Sequence, residues 1–415
     1  MENAGKQNDI RIRHQMDIMN LLRKGRTTLT DIAEYLDVSF TAARKIVDEL
    51  VQNNLVVYSS KNKTPVRGRK PVFVEINNKI GVVGVVDFSS NDAHILLATL
   101  DSTIVVEERI PNAPLITRQV LTQAEEIIRK LLLEPEVDNR PLLSICVISP
   151  GIMRADDYEY VSSRVVNPAD IAKVNPVLHF SNAFNVKVEM HNDVRIGCFG
   201  ELKYGAFPKD NFDGMFIHLG ISSGLALVFG GRIYKGSNNF SGETACYNWS
   251  SDDKALKESF WNSRFFPLWE INQRIRAAHG EDLKKDIDYV DVDKIVKDYH
   301  DGDSVTIDAV RESAKRNAIT IIGLATILDV EYIVIEGQIL KLGSEYMDLV
   351  RQYLSEFSEI ELRARLLVST LKDQCEVLGA CYQATNIFLF DKVESITKQR
   401  TKSNKFVLDK YYKEI

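Results

Sequence analysis

Apolar residues near the start of the chain recur at the three- and four-residue spacing of amphipathic helices. This spacing predicts one helix over 15–23, a second over 29–36 and a third that follows a short polar turn at 37–39. Ser39 is suited to cap the third helix, because its hydroxyl can accept a hydrogen bond from the backbone. Two short helices joined by a tight turn, with a supporting helix before them, are typical of a helix-turn-helix.

The third predicted helix has an apolar face and a polar face. Its outward positions include Thr41, Arg44 and Lys45, side chains that can reach base edges or phosphates when a helix enters a major groove. Together with Ser39, these are the helical residues that we expect to contact DNA. A two-helix corner of any small bundle shows the same apolar spacing, so a purely structural corner is the alternative at this point.

Two segments of alternating polarity, 55–60 and 71–76, follow the third helix and predict a pair of strands. The ten residues between them, KNKTPVRGRK, are strongly basic, and their glycine permits a close approach of the backbone. A basic wing can contact phosphates or insert an arginine into a minor groove. We expect four of its residues to bind DNA: Arg67, Gly68, Arg69 and Lys70. The alternative is a solvated charged loop.

Beyond residue 80 the pattern changes to buried strands mixed with helices. Three strands in hairpin order, within 81–109, precede a helix over 121–133 and another strand over 142–148. A similar order of strands begins again over 213–234, with turns that contain glycine and serine. Two such halves predict a duplicated mixed α/β fold that binds a ligand in the cleft between its lobes.

Length and charge agree with a small head on a larger body. The chain has 415 residues, enough for about two globular units beyond the predicted head. Residues 1–80 hold 14 Lys and Arg against 9 Asp and Glu, although the whole chain has a net charge of −6, so a basic head is joined to an acidic body. No apolar run approaches the roughly 18 residues of a membrane-spanning helix, and no hydrophobic signal region is present. We therefore expect a cytoplasmic protein without a membrane span.

Several segments carry a more specific signal through their order and spacing. After the winged helix come GVVGVVDF at 81–88, ISPGIM at 148–153, VEMHNDVRIGCFGELKYGA at 188–206, HLGISSGLALVFGGRIYKG at 218–236 and FSGE at 240–243. Together they resemble the ROK family, which groups bacterial sugar kinases with sugar-responsive transcriptional repressors. The resemblance implies an N-terminal winged helix-turn-helix followed by a two-lobed, actin/hexokinase-like (ribonuclease H-like) α/β domain.

The resemblance also implies a division of the chain. We expect a DNA-binding domain over 1–78, a first lobe over 79–190 and a second lobe over 191–390, whose final helices return to the first lobe. Residues 391–415 form a C-terminal extension beyond the family region.

Site residues follow from the same resemblance. In ROK kinases an Asn-Asp pair after a strand binds sugar hydroxyls, and its aspartate deprotonates the hydroxyl that attacks ATP. Asn192 and Asp193 match that pair, and a carboxylate is suited because it accepts hydrogen bonds and can act as a base. Glu243 matches a sugar-contacting glutamate, and Asn167 matches a further sugar-contacting asparagine. The alternatives are that Asp193 caps the following helix and that Glu243 is an ordinary surface carboxylate.

Two nucleotide motifs of the kinases are altered here. Their phosphate loop reads Asp-x-Gly-x-Thr, whereas residues 87–91 read DFSSN and lack the glycine that lets a backbone approach phosphate. Their Gly-Gly turn on the adenosine side becomes Glu336-Gly337, which puts a carboxylate where a nucleotide would approach. We therefore expect neither ATP binding nor enzymatic activity, and no catalytic residue; Asp193 is only the position that matches the kinase base.

The zinc motif of the family is altered as well. After the glutamate the family has a zinc-binding histidine and then a cysteine cluster, whereas Cys246 occupies the histidine position and 247–266 contain neither cysteine nor histidine. Zinc needs about four ligands held together. We expect no metal at this place and no cofactor.

Three functions remain open from the sequence. The first is a sugar-responsive regulator, a repressor of carbohydrate-utilisation genes, that binds a palindromic operator as a homodimer or higher oligomer. The second is a sugar kinase that carries a regulatory DNA-binding head. The third is a dimerisation platform that no longer binds sugar.

Overall fold

The computed structural model describes residues 2–59, 72–154, 157–163, 165–170, 173–208, 211–243, 267–281, 290–358 and 363–398. The chain forms two compact units. The first contains the residues up to Ile196 and those from Val377 onward, and the second contains Gly197–Glu376. In the described residues no helix is both long enough and apolar enough to cross a bilayer.

The N-terminal head consists of three helices and a small sheet. Its elements are α1 (Glu2–Leu22), β1 (Thr27–Thr28), α2 (Leu29–Tyr35), α3 (Phe40–Gln52), β2 (Val56–Ser59) and β3 (Phe73–Ile76). The strands lie in the order β1-β3-β2, and both neighbours of β3 are antiparallel to it. The three predicted helices and the two predicted strands are thereby confirmed.

Local hydrogen bonds determine where the two helices of the corner begin. Thr28 and Asp31 form a reciprocal capping box at the start of α2. Asp37 has a φ of 52°, a left-handed conformation that turns the chain between the helices. The Ser39 hydroxyl accepts a hydrogen bond of 3.2 Å from the backbone N–H of Ala42, which confirms Ser39 as the cap of α3.

The first unit also contains a five-stranded mixed sheet. Its strands are β4 (Val82–Asp87), β5 (Ala93–Ala98), β6 (Ile104–Ile110), β7 (Leu142–Ser149) and β10 (Lys187–Asn192), in the spatial order β10-β7-β4-β5-β6. The strands β4, β7 and β10 are parallel, whereas β4, β5 and β6 are successive antiparallel neighbours. The short strands β8 (Ile152–Met153) and β9 (Tyr160–Ser162) pair with each other, and α4 (Arg118–Leu131) and α5 (Pro176–Phe184) pack on the sheet.

The second unit repeats this strand order. Its strands are β11 (Gly214–Leu219), β12 (Ser223–Phe229), β13 (Arg232–Tyr234), β14 (Tyr332–Glu336) and β15 (Arg365–Val368), in the order β13-β12-β11-β14-β15. The strands β13, β12 and β11 are successive antiparallel neighbours, whereas β11, β14 and β15 are parallel. Its helices within the described residues include α7 (Pro267–Ala278), α8 (Val292–His300), α9 (Ser304–Leu328) and α10 (Ser344–Phe357). The prediction of a duplicated α/β fold is confirmed.

Two helices run through the unit boundaries. α6 (Asp193–Tyr204) begins in the first unit, and α11 (Cys375–Lys398) begins with the last two residues of the second unit and continues in the first. One apolar cluster contains residues of the head helices, such as Ile32 and Leu50, together with Leu389 and Phe390 of α11. The head therefore packs on the C-terminal helix through a shared core. The predicted boundary at 390 falls within α11, and residues 399–415 lie outside the described part of the chain.

Candidate functional site

The third helix presents a polar surface on the side away from the head core. Ala43, Val47 and Leu50 are buried, whereas Thr41, Arg44 and Lys45 are exposed. Ser39 is exposed as well, although its hydroxyl is used to cap the helix. The structure therefore places the four predicted helical DNA-binding residues at one solvent-facing surface, as expected for a recognition helix. Their contact with DNA stays a prediction.

Arg44 is oriented by an exposed acidic neighbour. Its Nε lies 3.7 Å from Asp48 Oδ2, and its side chain is 61% exposed. The Tyr58 hydroxyl on β2 donates a 2.6 Å hydrogen bond to Asp48, and burial together with this bond raises the pKa of Tyr58. Exposed ion pairs contribute little to stability, so Arg44 can exchange Asp48 for a phosphate or a base at small cost. The predicted wing residues, Arg67, Gly68, Arg69 and Lys70, lie outside the described residues.

A buried glutamate attaches α3 to α1. Glu49 is only 8% exposed, and its carboxylate accepts a 2.6 Å hydrogen bond from Arg11 Nε and a 3.3 Å bond from Gln15 Nε2. Hydrophobic periodicity did not reveal this contact, because it assigns an acidic residue to the solvent side. No local pattern pairs Glu49 with a partner 38 residues earlier in the chain.

The Asn-Asp pair lies at the carboxyl end of three parallel strands. Asn192, the last residue of β10, is in register with Ser149 at the end of β7, and Asp87 ends β4 beside Ile148. Ligands of open α/β sheets bind outside the carboxyl ends of the strands. The first unit therefore places Asn192 and Asp193 where the fold can receive a ligand.

Asn192 closes the turn between β10 and α6. Its Oδ1 accepts a 3.1 Å hydrogen bond from the backbone N–H of Arg195, and its Nδ2 donates a 3.3 Å bond to the carbonyl of Gly151. Asn192 therefore provides a capping oxygen at the start of α6. Asp193 is the first residue of α6, half-buried, where the helix dipole favours a negative charge.

The other two predicted sugar-binding residues belong to different units. Asn167 is exposed in the first unit, and its Oδ1 accepts a 3.0 Å hydrogen bond from the N–H of Ala169 at a short helical turn. Glu243 is half-buried in the second unit. It follows Gly242, whose φ of +87° and close contact with the Leu225 carbonyl leave no room for a side chain. Sugar binding by these residues stays a prediction.

The altered phosphate loop forms its hydrogen bonds internally. Asp87 is buried, and its Oδ1 accepts a 2.7 Å hydrogen bond from the N–H of Ser89. Burial raises the pKa of the Asp87 carboxyl, although the bonds to Ser89 act in the opposite direction. The Ser90 hydroxyl donates a 2.7 Å bond to the carbonyl of Asp92. The Ser89 N–H and the Ser90 hydroxyl thus form hydrogen bonds within the loop. A loop that binds phosphate needs such donors to point outward, toward the ligand.

The corresponding edge of the second sheet carries a buried carboxylate. Glu336 ends β14, is 3% exposed, and its Oε2 lies 2.6 Å from Nδ1 of His218 on β11. Gly337 has a φ of +113°, and a Cβ at that position would lie 2.5 Å from the carbonyl oxygen of Leu219. Cys246 and residues 247–266, where the altered zinc motif lies, are outside the described residues.

A chain of polar contacts, missed by the sequence analysis, connects β10 with the head. Glu189 of β10 is 7% exposed and accepts a 3.0 Å hydrogen bond from Gln383 Nε2 of α11. The adjacent Tyr382 donates a 2.6 Å bond from its hydroxyl to Asn20 Oδ1, and the guanidinium of Arg23 lies 3.8 Å from the centre of its ring. The strand β10 and the helix α1 are thus linked through two successive residues of α11.

Comparisons with known proteins add family information to this geometry. The model of the ROK family matches residues 83–248 and 272–387, more than half of the chain. The chain is similar to the xylose repressor of Caldicellulosiruptor bescii, with 23% identity over 371 residues that cover 84% of this chain and 89% of that protein.

Two solved structures are also similar. A ROK family transcriptional regulator, a homologue of the E. coli MLC protein, has a TM-score of 0.73 at 19% identity and covers 92% of this chain and 100% of its own. The ROK hexokinase from Thermus thermophilus has a TM-score of 0.57 at 14% identity and covers 77% of this chain and 99% of its own. At these identities the two structures establish the fold.

Proposed function

The chain belongs to the ROK family, and from this membership we propose that it is a sugar-responsive DNA-binding regulator that represses carbohydrate-utilisation genes. One observation carries the proposal: a winged helix-turn-helix head and a family sugar motif lie in one compact unit and are connected by buried contacts. A regulator needs an input site and an output site whose states depend on each other.

The input is a sugar, bound through its hydroxyl groups. Asp193 accepts hydrogen bonds from these hydroxyls, and Asn192 both accepts and donates them, with Asn167 as a further contact in the same unit. The similar protein from Caldicellulosiruptor bescii is named a xylose repressor, which makes xylose the first sugar to test.

The output is binding to an operator. Thr41, Arg44 and Lys45 enter a major groove, and the basic segment at 61–70 contacts phosphates or a minor groove. A single head reads few bases, so the protein acts as a homodimer or higher oligomer on a palindromic site.

Coupling between input and output runs through α11. A sugar that orders the end of β10 shifts Glu189, which is bonded to Gln383. Tyr382, the neighbour of Gln383, holds Asn20 and Arg23 at the end of α1. Operator affinity then changes to the extent that the sugar prefers one arrangement of these contacts over the other.

We predict that Tyr382→Phe and Gln383→Met reduce this coupling. Each variant removes hydrogen bonds of the chain but keeps a side chain of similar size, so both variants should still bind sugar and operator separately. The change in operator affinity that sugar produces, typically about 5- to 150-fold in allosteric proteins, should fall by at least about fivefold. Fluorescence anisotropy of labelled operator, with and without sugar, measures this ratio.

Matched substitutions in the second unit provide the controls. Tyr353→Phe and Gln352→Met change the same residue types on α10, which contributes no residue to this chain of contacts, and should leave the sugar effect unchanged. A full sugar effect in both Tyr382→Phe and Gln383→Met would contradict coupling through α11.

The proposed function is tested with the purified full-length protein. An operator is selected from a library of random DNA duplexes, and xylose, other free sugars and phosphorylated sugars are screened by thermal shift. We expect one sugar to raise the melting temperature, because it binds only the folded state, and to change operator affinity. Absence of selected DNA, or sugar binding without any effect on DNA binding, would reject the proposal.

The kinase alternative is separated by a direct assay. The inward-facing hydrogen bonds of the loop at Asp87 support the absence of ATP chemistry. We therefore expect no transfer of phosphate from ATP to any sugar that the thermal-shift screen identifies. Robust turnover would favour a kinase with a regulatory head.

A further inference from the structure

Three side chains with metal-binding atoms meet in the second unit. His218 lies on β11, Glu336 ends β14 and Glu376 lies in the first turn of α11, and one ligand atom of each lies within 4.8 Å of the other two. The strands β11 and β14 are parallel, and His218 and Glu336 are register partners. Their side chains therefore leave the same face of the sheet at its carboxyl edge.

Neighbouring groups hold these side chains in place. The 2.6 Å contact between Nδ1 of His218 and Oε2 of Glu336 orients both. Gly220 makes room for the imidazole, because a Cβ at that position would lie 2.6 Å from Nε2 of His218. The thiol of Cys375 donates a 3.1 Å hydrogen bond to Oε2 of Glu376. Hydrogen bonds of this kind orient the ligands of metal sites.

The charge of the group favours a cation. Glu336 is 3% exposed, and burial of a carboxylate costs free energy unless a positive charge compensates it. Glu336 and Glu376 bring two carboxylates to the group. A divalent cation neutralises both. One imidazole and two carboxylates form a donor set that suits zinc and related transition metals, whereas Mg²⁺ and Ca²⁺ prefer oxygen ligands alone.

We propose that His218, Glu336 and Glu376 bind one divalent transition-metal cation, with Zn²⁺ as the reference ion. Zinc lies about 2.0 to 2.2 Å from nitrogen and oxygen ligands, which places two ligands of a tetrahedral ion roughly 3.3 Å apart. Binding therefore opens the 2.6 Å contact between His218 and Glu336 and replaces it with two bonds to the metal. Three protein ligands leave a position for water or another small ligand. The site shares no residue with the altered zinc motif that follows Glu243, and it does not depend on the proposed regulatory function.

The test is a zinc titration of the full-length protein. The chain is stripped with a chelator, titrated with ZnSO₄ by calorimetry, dialysed and analysed for bound metal. We expect wild type to bind one Zn²⁺ more per chain than Glu336→Gln and His218→Gln, or to bind that ion at least about tenfold more tightly. Loss of a residue that only hydrogen-bonds to a metal ligand already lowers metal affinity by about 10- to 100-fold, so loss of a ligand should have at least this effect. Titration with Co²⁺ should give visible absorption bands in wild type that both variants lose.

His279→Gln, which changes another histidine of the second unit, is the control and should bind as wild type does. Glu376→Gln changes a half-buried ligand and keeps the assay informative if Glu336→Gln fails to fold, as judged by circular dichroism. The proposal is overturned if wild type takes up no zinc, or if His218→Gln and Glu376→Gln retain its stoichiometry and affinity.

Discussion

Arg44→Ala is expected to lower operator affinity by about 10- to 100-fold per half-site, the value of one specific contact between an arginine and a base. The side chain is 61% exposed and its ion pair with Asp48 is long, at 3.7 Å, so its loss should hardly change stability. Sugar binding should be unchanged, because the contact lies on the outer surface of the head. Fluorescence anisotropy at fixed salt measures the loss, and thermal shift with sugar measures the retained input.

A matched arginine separates a specific contact from a general effect of charge. Arg311 is 52% exposed and pairs with Asp308 in the second unit, so Arg311→Ala removes the same charge at a distant surface. This control should bind operator as wild type does. Arg69→Ala should weaken operator binding like Arg44→Ala if the basic wing also contacts DNA. Normal operator binding by Arg44→Ala would show that the surface of α3 formed by Thr41, Arg44 and Lys45 does not contact the operator.

Asp193→Asn is expected to shift the response to sugar to a higher sugar concentration, by at least about tenfold, while operator binding persists. A hydrogen bond to a charged group contributes about 1.5 to 3 kcal/mol, so one lost carboxylate lowers sugar affinity by at least about tenfold. Asn192 keeps a capping oxygen at the start of α6 in this variant, and loss of the Asp193 charge removes a favourable interaction with the helix dipole, about 0.3 to 1 kcal/mol. The variant should therefore fold and bind operator. At a sugar concentration that changes the operator affinity of wild type, its own operator affinity should change less.

The control for Asp193→Asn is Glu345→Gln, which removes an exposed carboxylate from the first turn of α10. It imposes the same loss of charge at a helix start without a change in the proposed site. Thermal shift across the sugar series compares the two variants directly. If Asp193→Asn responds to sugar with the affinity of wild type, the sugar does not contact this carboxylate.

The helices and strands could be predicted because buried faces require apolar residues at regular spacings along the sequence. The corner formed by α2 and α3, and strands such as β4 and β7, follow directly from apolar spacing, since each element buries one face or both. The duplicated strand order was also visible, because hairpins and turn residues repeat along the chain. The family resemblance located Asn192 and Asp193, but only the coordinates assign the capping oxygen to Asn192.

Polar contacts between distant segments could not be predicted. Glu189 meets Gln383 across 194 residues, and His218 meets Glu336 across 118. No pattern within either segment encodes its partner, because a buried carboxylate is stabilised by whichever donor the fold brings to it. The sequence showed that Glu336 departs from the family turn, and the structure adds the histidine beside it.

The repeated strand order of the two sheets bears on how such a chain changes through evolution. Each sheet has its own carboxyl edge, formed by its own parallel strands. Substitutions such as Glu336 can therefore accumulate at one edge while Asn192 and Asp193 persist at the other. In a duplicated fold of this kind, the residues at one carboxyl edge can differ from those at the other while both sheets keep the same strand order.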